Sequence, residues 1–312
     1  MKKILLLLAA FSMSISSFAW QNMDEKLEKL NNKIQQEEVV VADDIPHYFW
    51  WELTAAPETL CPPCTNIFYR AFNKHQDNPQ SYVAAFNYAM LIAYKTHPNS
   101  GSAVSITDEQ EGKRNFDEAY KRFEMAKKLN PKFAPVYVEQ ELLIDRYLFS
   151  HIYYSPAFYS LASRLHGYTH RKDLARKRLS LIEKQISLGV ENVNYLEAAV
   201  LARFFGLSEK EALYTEKAGG KQAIQQEVDN AIMDLISTLW FNTEAAVKFG
   251  RISPVLEHTK TKLGFLNTYY DGYVKRSADY SELLEVMGKA SAKEAYFFHE
   301  MVKDAHTYNN LP

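Results

Sequence analysis

Cys61 and Cys64 are the chain's two cysteines, held in Cys61-Pro62-Pro63-Cys64. The C-x-x-C spacing suits thiol–disulfide exchange, where a depressed pKa turns one thiol into a nucleophile. It equally suits a structural disulfide, because a turn brings positions i and i+3 within bonding range in an oxidising compartment. The closed loop is tiny, so the chain-entropy contribution is only about 2 kcal/mol. The surroundings favour the structural role. Leu60 rather than Trp precedes Cys61, no β-α-β pattern flanks the motif, and two prolines restrict the backbone. A zinc site would need two further ligands, and His47 and His75 are the histidines near in sequence. The expectation is a disulfide that stiffens the turn into the helix starting near Thr65.

The histidines form two pairs at helical spacing. His166 and His170 are i, i+4, but Gly167 between them weakens the helix that would put both on one face. His299 and His306 share a face near Glu300 and Asp304, yet His306 lies three residues too late for H-E-x-x-H. No metal and no cofactor is expected. Residues 164–184 gather Arg164, Arg171, Lys172, Arg176, Lys177, Arg178 and Lys184 against Asp173 and Glu183. That stretch is a solvated helix face or a docking patch for an acidic partner, with Arg171 and Arg176 as its candidate contacts. Tyrosines cluster at Tyr153 and Tyr154 and again at Tyr269 and Tyr270, and Tyr137 stands apart. These five are either core residues or the lining of a peptide or sugar groove. G-x-S-x-G, S-x-x-K, P-loop and G-x-G-x-x-G motifs are absent from the sequence. Glu139, Glu141 and Asp145 are expected to face solvent, although carboxylates assembled from distant helices leave no linear trace.

Lys2 and Lys3 followed by the apolar run Ile4–Phe11 and then SMSISSFA read as an export signal. Ser17 and Ala19 occupy the small-residue positions before a cleavage site, and the run is shorter than the roughly 20 residues a membrane span needs. Removing residues 1–19 moves the net charge from −2 to −4. A near-balanced charge argues against nucleic acid as partner. The expected address is beyond the inner membrane, in the periplasm or at the cell surface, with no transmembrane segment in the mature chain.

Apolar residues at Met23, Leu27, Leu30 and Ile34 mark a first helix, and acidic residues around Val39–Ala42 mark a linker, giving a segment over 20–45. Pro46–Leu53 (PHYFWWEL) is too aromatic for water and should anchor this segment to the body. Helical patterns then follow at about 64–76, 79–96, 114–129, 134–151, 157–165, 171–188, 192–206, 208–218, 221–248, 254–272, 279–289 and 291–307. Breaks fall at Asn78-Pro79, Asn130-Pro131, Ser155-Pro156, Gly189, Gly206, Gly219-Gly220, Ser253-Pro254 and Gly288. With 11 glycines in 312 residues and no alternating runs, the chain is all-α, about twelve helices with no substantial sheet. The body spans 46–312, with a division near 188–192.

In NFDEAYKRFEMAKKLNPKFAP, Ala119, Phe123, Ala126 and Pro131 follow at +4, +3 and +5. This resembles the second helix and closing proline of a tetratricopeptide repeat. Small Ala119 and Ala126 admit close helix approach, Phe123 fills the groove, and Pro131 stops the helix. Residues 97–113 interrupt the repeat, and no later segment restates the spacing. The resemblance implies an array of antiparallel helical hairpins, a TPR-like solenoid, that binds segments of partner proteins. The function expected is therefore exported, non-catalytic protein–protein interaction in the bacterial cell envelope, with another envelope protein or peptide as partner. The alternatives are an envelope enzyme, either a thiol oxidoreductase or a helical hydrolase, and a peptide or glycan binder.

Overall fold

The computed structural model describes residues 25–46, 62–95, 109–150, 160–249 and 252–308. The expected export signal, Cys61, the expected PHYFWWEL anchor, Tyr153 and Tyr154 lie outside the described residues. What is described is helical throughout, with no strand. The helices are α1 (25–36), α2 (Pro62–Asp77), α3 (Tyr82–Lys95), α4 (Glu109–Leu129), α5 (Ala134–Ser150) and α6 (Leu161–His170). They continue as α7 (Lys172–Ser187), α8 (Tyr195–Phe204), α9 (Ser208–Lys217), α10 (Lys221–Phe249), α11 (Ile252–Val274) and α12 (Tyr280–Tyr308). Two compact units result: α1–α5 with residues 184–190, and α6–α12 without that stretch.

In the first unit the apolar stripe Leu27, Leu30 and Ile34 of α1 is buried, as its +3, +4 spacing requires. The α1 C-terminus closes with Glu38 N–H donating to the Lys33 carbonyl and Glu37 N–H to that of Ile34. This paired closure places its C′ residue in the left-handed region. Gly206 fills that position after α8, at φ 69°. After α1 it is Glu37, at φ 54°, a conformation that disfavours a side chain by roughly 1–2 kcal/mol. The Glu37 carboxylate accepts from Asn78 Nδ2 at 3.2 and 3.3 Å, which helps offset that strain.

α3 and α4 form the most extensive pairing of the unit. Ala119, Phe123 and Ala126 are fully buried on the α4 face, with Phe123 and Phe86 ring centroids 5.7 Å apart. Past the Asn130-Pro131 turn, Phe133 meets Phe86 edge-on at 5.1 Å, and the Tyr137 hydroxyl donates to the Pro131 carbonyl at 3.0 Å. The local interlocking is that of a helical hairpin followed by the next helix.

The second unit is built on α10, whose Ile224, Val228, Ala231, Ile232, Leu235 and Leu239 are buried. α11 and α12 pack on it, and α6 packs on α11. The expected break at Gly288 does not occur, and Gly167, expected to weaken the helix, lies within α6: α6 and α12 run through these glycines. A mid-helix glycine costs only about 1 kcal/mol, which packing of neighbouring turns outweighs. No described helix is long and apolar enough to cross a membrane.

Candidate functional site

Between Tyr82 and Tyr94, α3 carries a single polar residue, Asn87. Its side chain is 2% exposed, and a buried carboxamide must find partners for both its oxygen and its nitrogen. It finds them in the extended segment that follows α1. Val40 N–H donates to Asn87 Oδ1 at 2.9 Å, and Asn87 Nδ2 donates to the Glu38 carbonyl at 2.8 Å. One side chain thus grips both backbone groups of a passing extended chain and leaves its side chains free to vary. Val40 is fully buried beside this grip, while Val41 is exposed.

Polar contacts pin both ends of the segment. At its start Glu37 reaches Asn78, and a hydrogen bond from Ser81 is the main influence holding its carboxyl below the ordinary range. At its far end Asp44, 5% exposed, accepts from Lys33 Nζ at 2.6 Å and from Val41 N–H at 2.9 Å, with Lys29 at 3.4 Å. Burial opposes ionisation of Asp44, but these partners together keep its carboxyl below the usual value. The first unit therefore holds its own extended segment against α3 through the two Asn87 hydrogen bonds and buried Val40, with Glu37 bound to Asn78 at one end and Asp44 tied back to α1 at the other.

The candidate contacts named from sequence fall elsewhere. Tyr137 is 7% exposed, its hydroxyl is bound to Pro131, and the ammonium groups of Lys127 and Lys184 lie 5.5 and 5.9 Å from its ring. In the second unit Tyr270 is 1% exposed and Tyr269 is half-buried with its ring 5.4 Å from Phe204. The Arg203 guanidinium lies 4.5 Å from the Tyr270 ring, donates to the Tyr269 carbonyl at 2.7 Å and pairs with Glu211. Tyr137 and Tyr270 are thus core residues, because burial of the ring leaves no face for a partner. Arg176 is exposed with its guanidinium over Phe205 at 4.8 Å, and Arg171 is half-buried, 3.8 Å from Asp173. Arg178, whose stem the spacing places on the inward stripe with Leu174 and Leu181, is 4% exposed. Cys64 lies fully buried in the first turn of α2, and no described cysteine is free. Pro131 is exposed at its turn.

Arg178 belongs to a buried network in the second unit. Glu197 on α8, 1% exposed, accepts from Arg164 and from the Tyr168 hydroxyl, and Arg178 lies 3.5 Å away while donating to Tyr168 at 2.6 Å. Burial opposes ionisation of Glu197, but the two arginines outweigh it and hold its pKa down at about 2. Arg164 also pairs with Glu227 on α10, so the network ties α6, α7, α8 and α10 together. Linking four helices through buried charges makes it a structural clasp.

The grip at Asn87 was missed from sequence, although its signal was present: one amide in an otherwise apolar helix. No family model, curated protein or solved structure matches the chain.

Proposed function

We propose that the chain is an exported protein of the cell envelope that acts by holding an extended segment of another polypeptide against its helical hairpins, without catalysis of its own. The observation that carries this reading is the Asn87 carboxamide bound to the backbone of residues 38–40. A helix face that recognises main-chain groups accepts segments of varied sequence, and the chain's own strap serves as the example of a fitting occupant. Its composition names the preferred partner chemistry: a carboxylate, then a β-branched aliphatic residue three positions on, as in Glu37 and Val40. The export signal supplies the compartment, and the Cys61/Cys64 pair is read as a structural disulfide there.

A photo-reactive amino acid at exposed Gln80, in the turn that receives Glu37, tests this in intact cells. The expected product is one discrete adduct with an envelope polypeptide, diminished by Asn87→Ala. Cross-links confined to the chain itself would contradict the reading.

A further inference from the structure

On α6, His166 and His170 stand one turn apart, and their Nε2 atoms face each other at 3.2 Å. Two nitrogens bound at 2.0–2.1 Å to one tetrahedral ion are about 3.3–3.4 Å apart. Adjacent corners of a square-planar site at similar bond lengths are about 2.8–3.0 Å apart. The observed separation lies between these two bites. We propose that His166 and His170 form a two-nitrogen chelate for a borderline divalent transition metal, Zn²⁺ or Cu²⁺, with water completing the coordination.

The environment of the pair fits the role. His170 is exposed, so a hydrated ion reaches it directly. His166 is half-buried and its ring is fixed by Phe265 and His258 of α11, with centroids 5.6 and 6.0 Å away. Burial, then His170 and Lys262, push its pKa below the ordinary value, and the neutral ring is the form that binds a metal. Without metal, one Nε2 must donate a proton to the other. With metal, both Nε2 atoms present lone pairs and each proton sits on Nδ1. The buried Nδ1 of His166 has no hydrogen-bond partner as it stands, so this tautomer change forfeits no bond there.

Three further charged or titratable groups bear on the affinity. Lys262 of α11, 1% exposed, opposes a cation, and burial lowers its pKa from the ordinary lysine value. Asp234 of α10 offsets it in part. His258 is held down at about 4, chiefly by burial, and is therefore neutral. Among the described residues no group of three or more His, Cys, Asp or Glu is placed to hold a metal. The chelate thus has open positions and exchanges its ion, unlike a closed structural zinc site.

The test adds Zn²⁺ alone to the full chain near neutral pH in a calorimeter, and Cu²⁺ alone for electron paramagnetic resonance. Because His170 is exposed, His170→Ala removes a ligand while leaving the packing of α6 in place. Losing a ligand should exceed the roughly tenfold loss that follows removal of an outer hydrogen-bond partner of a metal ligand. The expected results are one equivalent of Zn²⁺ weakened by more than that in His170→Ala, unchanged in His299→Ala, and a Cu²⁺ spectrum whose two-nitrogen splitting drops to one. Equal Zn²⁺ affinity and the same Cu²⁺ splitting in wild type and His170→Ala would overturn the proposal.

Discussion

At the residue scale, the second unit depends on a few buried ionisable groups whose charge states are set by neighbours. Glu197 neutralises Arg164 and Arg178 and accepts the Tyr168 hydroxyl, so removing its charge leaves two guanidinium groups short of a partner. Glu197→Gln should destabilise the fold by about 3–5 kcal/mol, read as a shift in the urea midpoint at neutral pH. A shift within measurement error would mean that the arginines are satisfied without it. The histidines add a dependence on pH. His258 has a folded pKa of about 4 against 6.5 for the free side chain, so the unfolded chain takes up a proton first. Stability is therefore full above about pH 6.5 and declines as pH falls toward 4. Glu197 acts in the same direction further down: stability present above 4.5 is lost toward its folded pKa of about 2. Urea midpoints measured across this range should fall with pH, and His258→Leu should flatten the upper part of the curve. A constant midpoint between neutrality and pH 4 would refute the assignment. These pairings were not legible in sequence. The spacing on α7 turns the stem of Arg178 inward with Leu174 and Leu181, but nothing linear pairs it with Glu197, and His258 gives no linear hint that it lies near His166.

At the element scale, the sequence was far more readable, because apolar spacing and capping residues act locally. α5, α7, α9 and α10 start and stop within a residue or two of their expected limits. The helix running through Gly288, where a break was expected, and through Gly167 has one cause: a glycine inside a helix is a small local penalty, and burial of neighbouring turns decides the outcome. The tetratricopeptide-like spacing on α4 points to a concrete energetic role for Phe123, which is fully buried against Phe86. Phe123→Ala should cost about 3–5 kcal/mol, because α3 and α4 cannot close around the lost ring. Ala126→Leu, which inserts volume into the same seam, should destabilise by about 1–3 kcal/mol in a thermal melt. Tolerance of Ala126→Leu would show that the two helices do not approach closely there.

At the scale of the whole molecule, the all-helical class follows from composition and spacing, export is proposed from the N-terminal run, and the proposed mode of action rests on one contact distant in sequence. Asn87 lies 47 positions from Val40, and no local pattern links them. The hint lay in an amide set within an apolar helix, which had to be satisfied by something. The strap is favoured over any free segment by its tether, which keeps its effective concentration in the millimolar range. Weakening the strap should therefore open the site to a competitor. The direct measurement is fluorescence anisotropy of a labelled peptide matching residues 36–45, titrated with the full chain carrying Val40→Asp, whose charge cannot be buried in the strap's place. The expected result is saturable binding to Val40→Asp that weakens by about tenfold or more when Asn87→Ala is added, reflecting two lost backbone hydrogen bonds. Absence of saturable binding to a Val40→Asp chain that still melts cooperatively, or binding indifferent to Asn87→Ala, would contradict it.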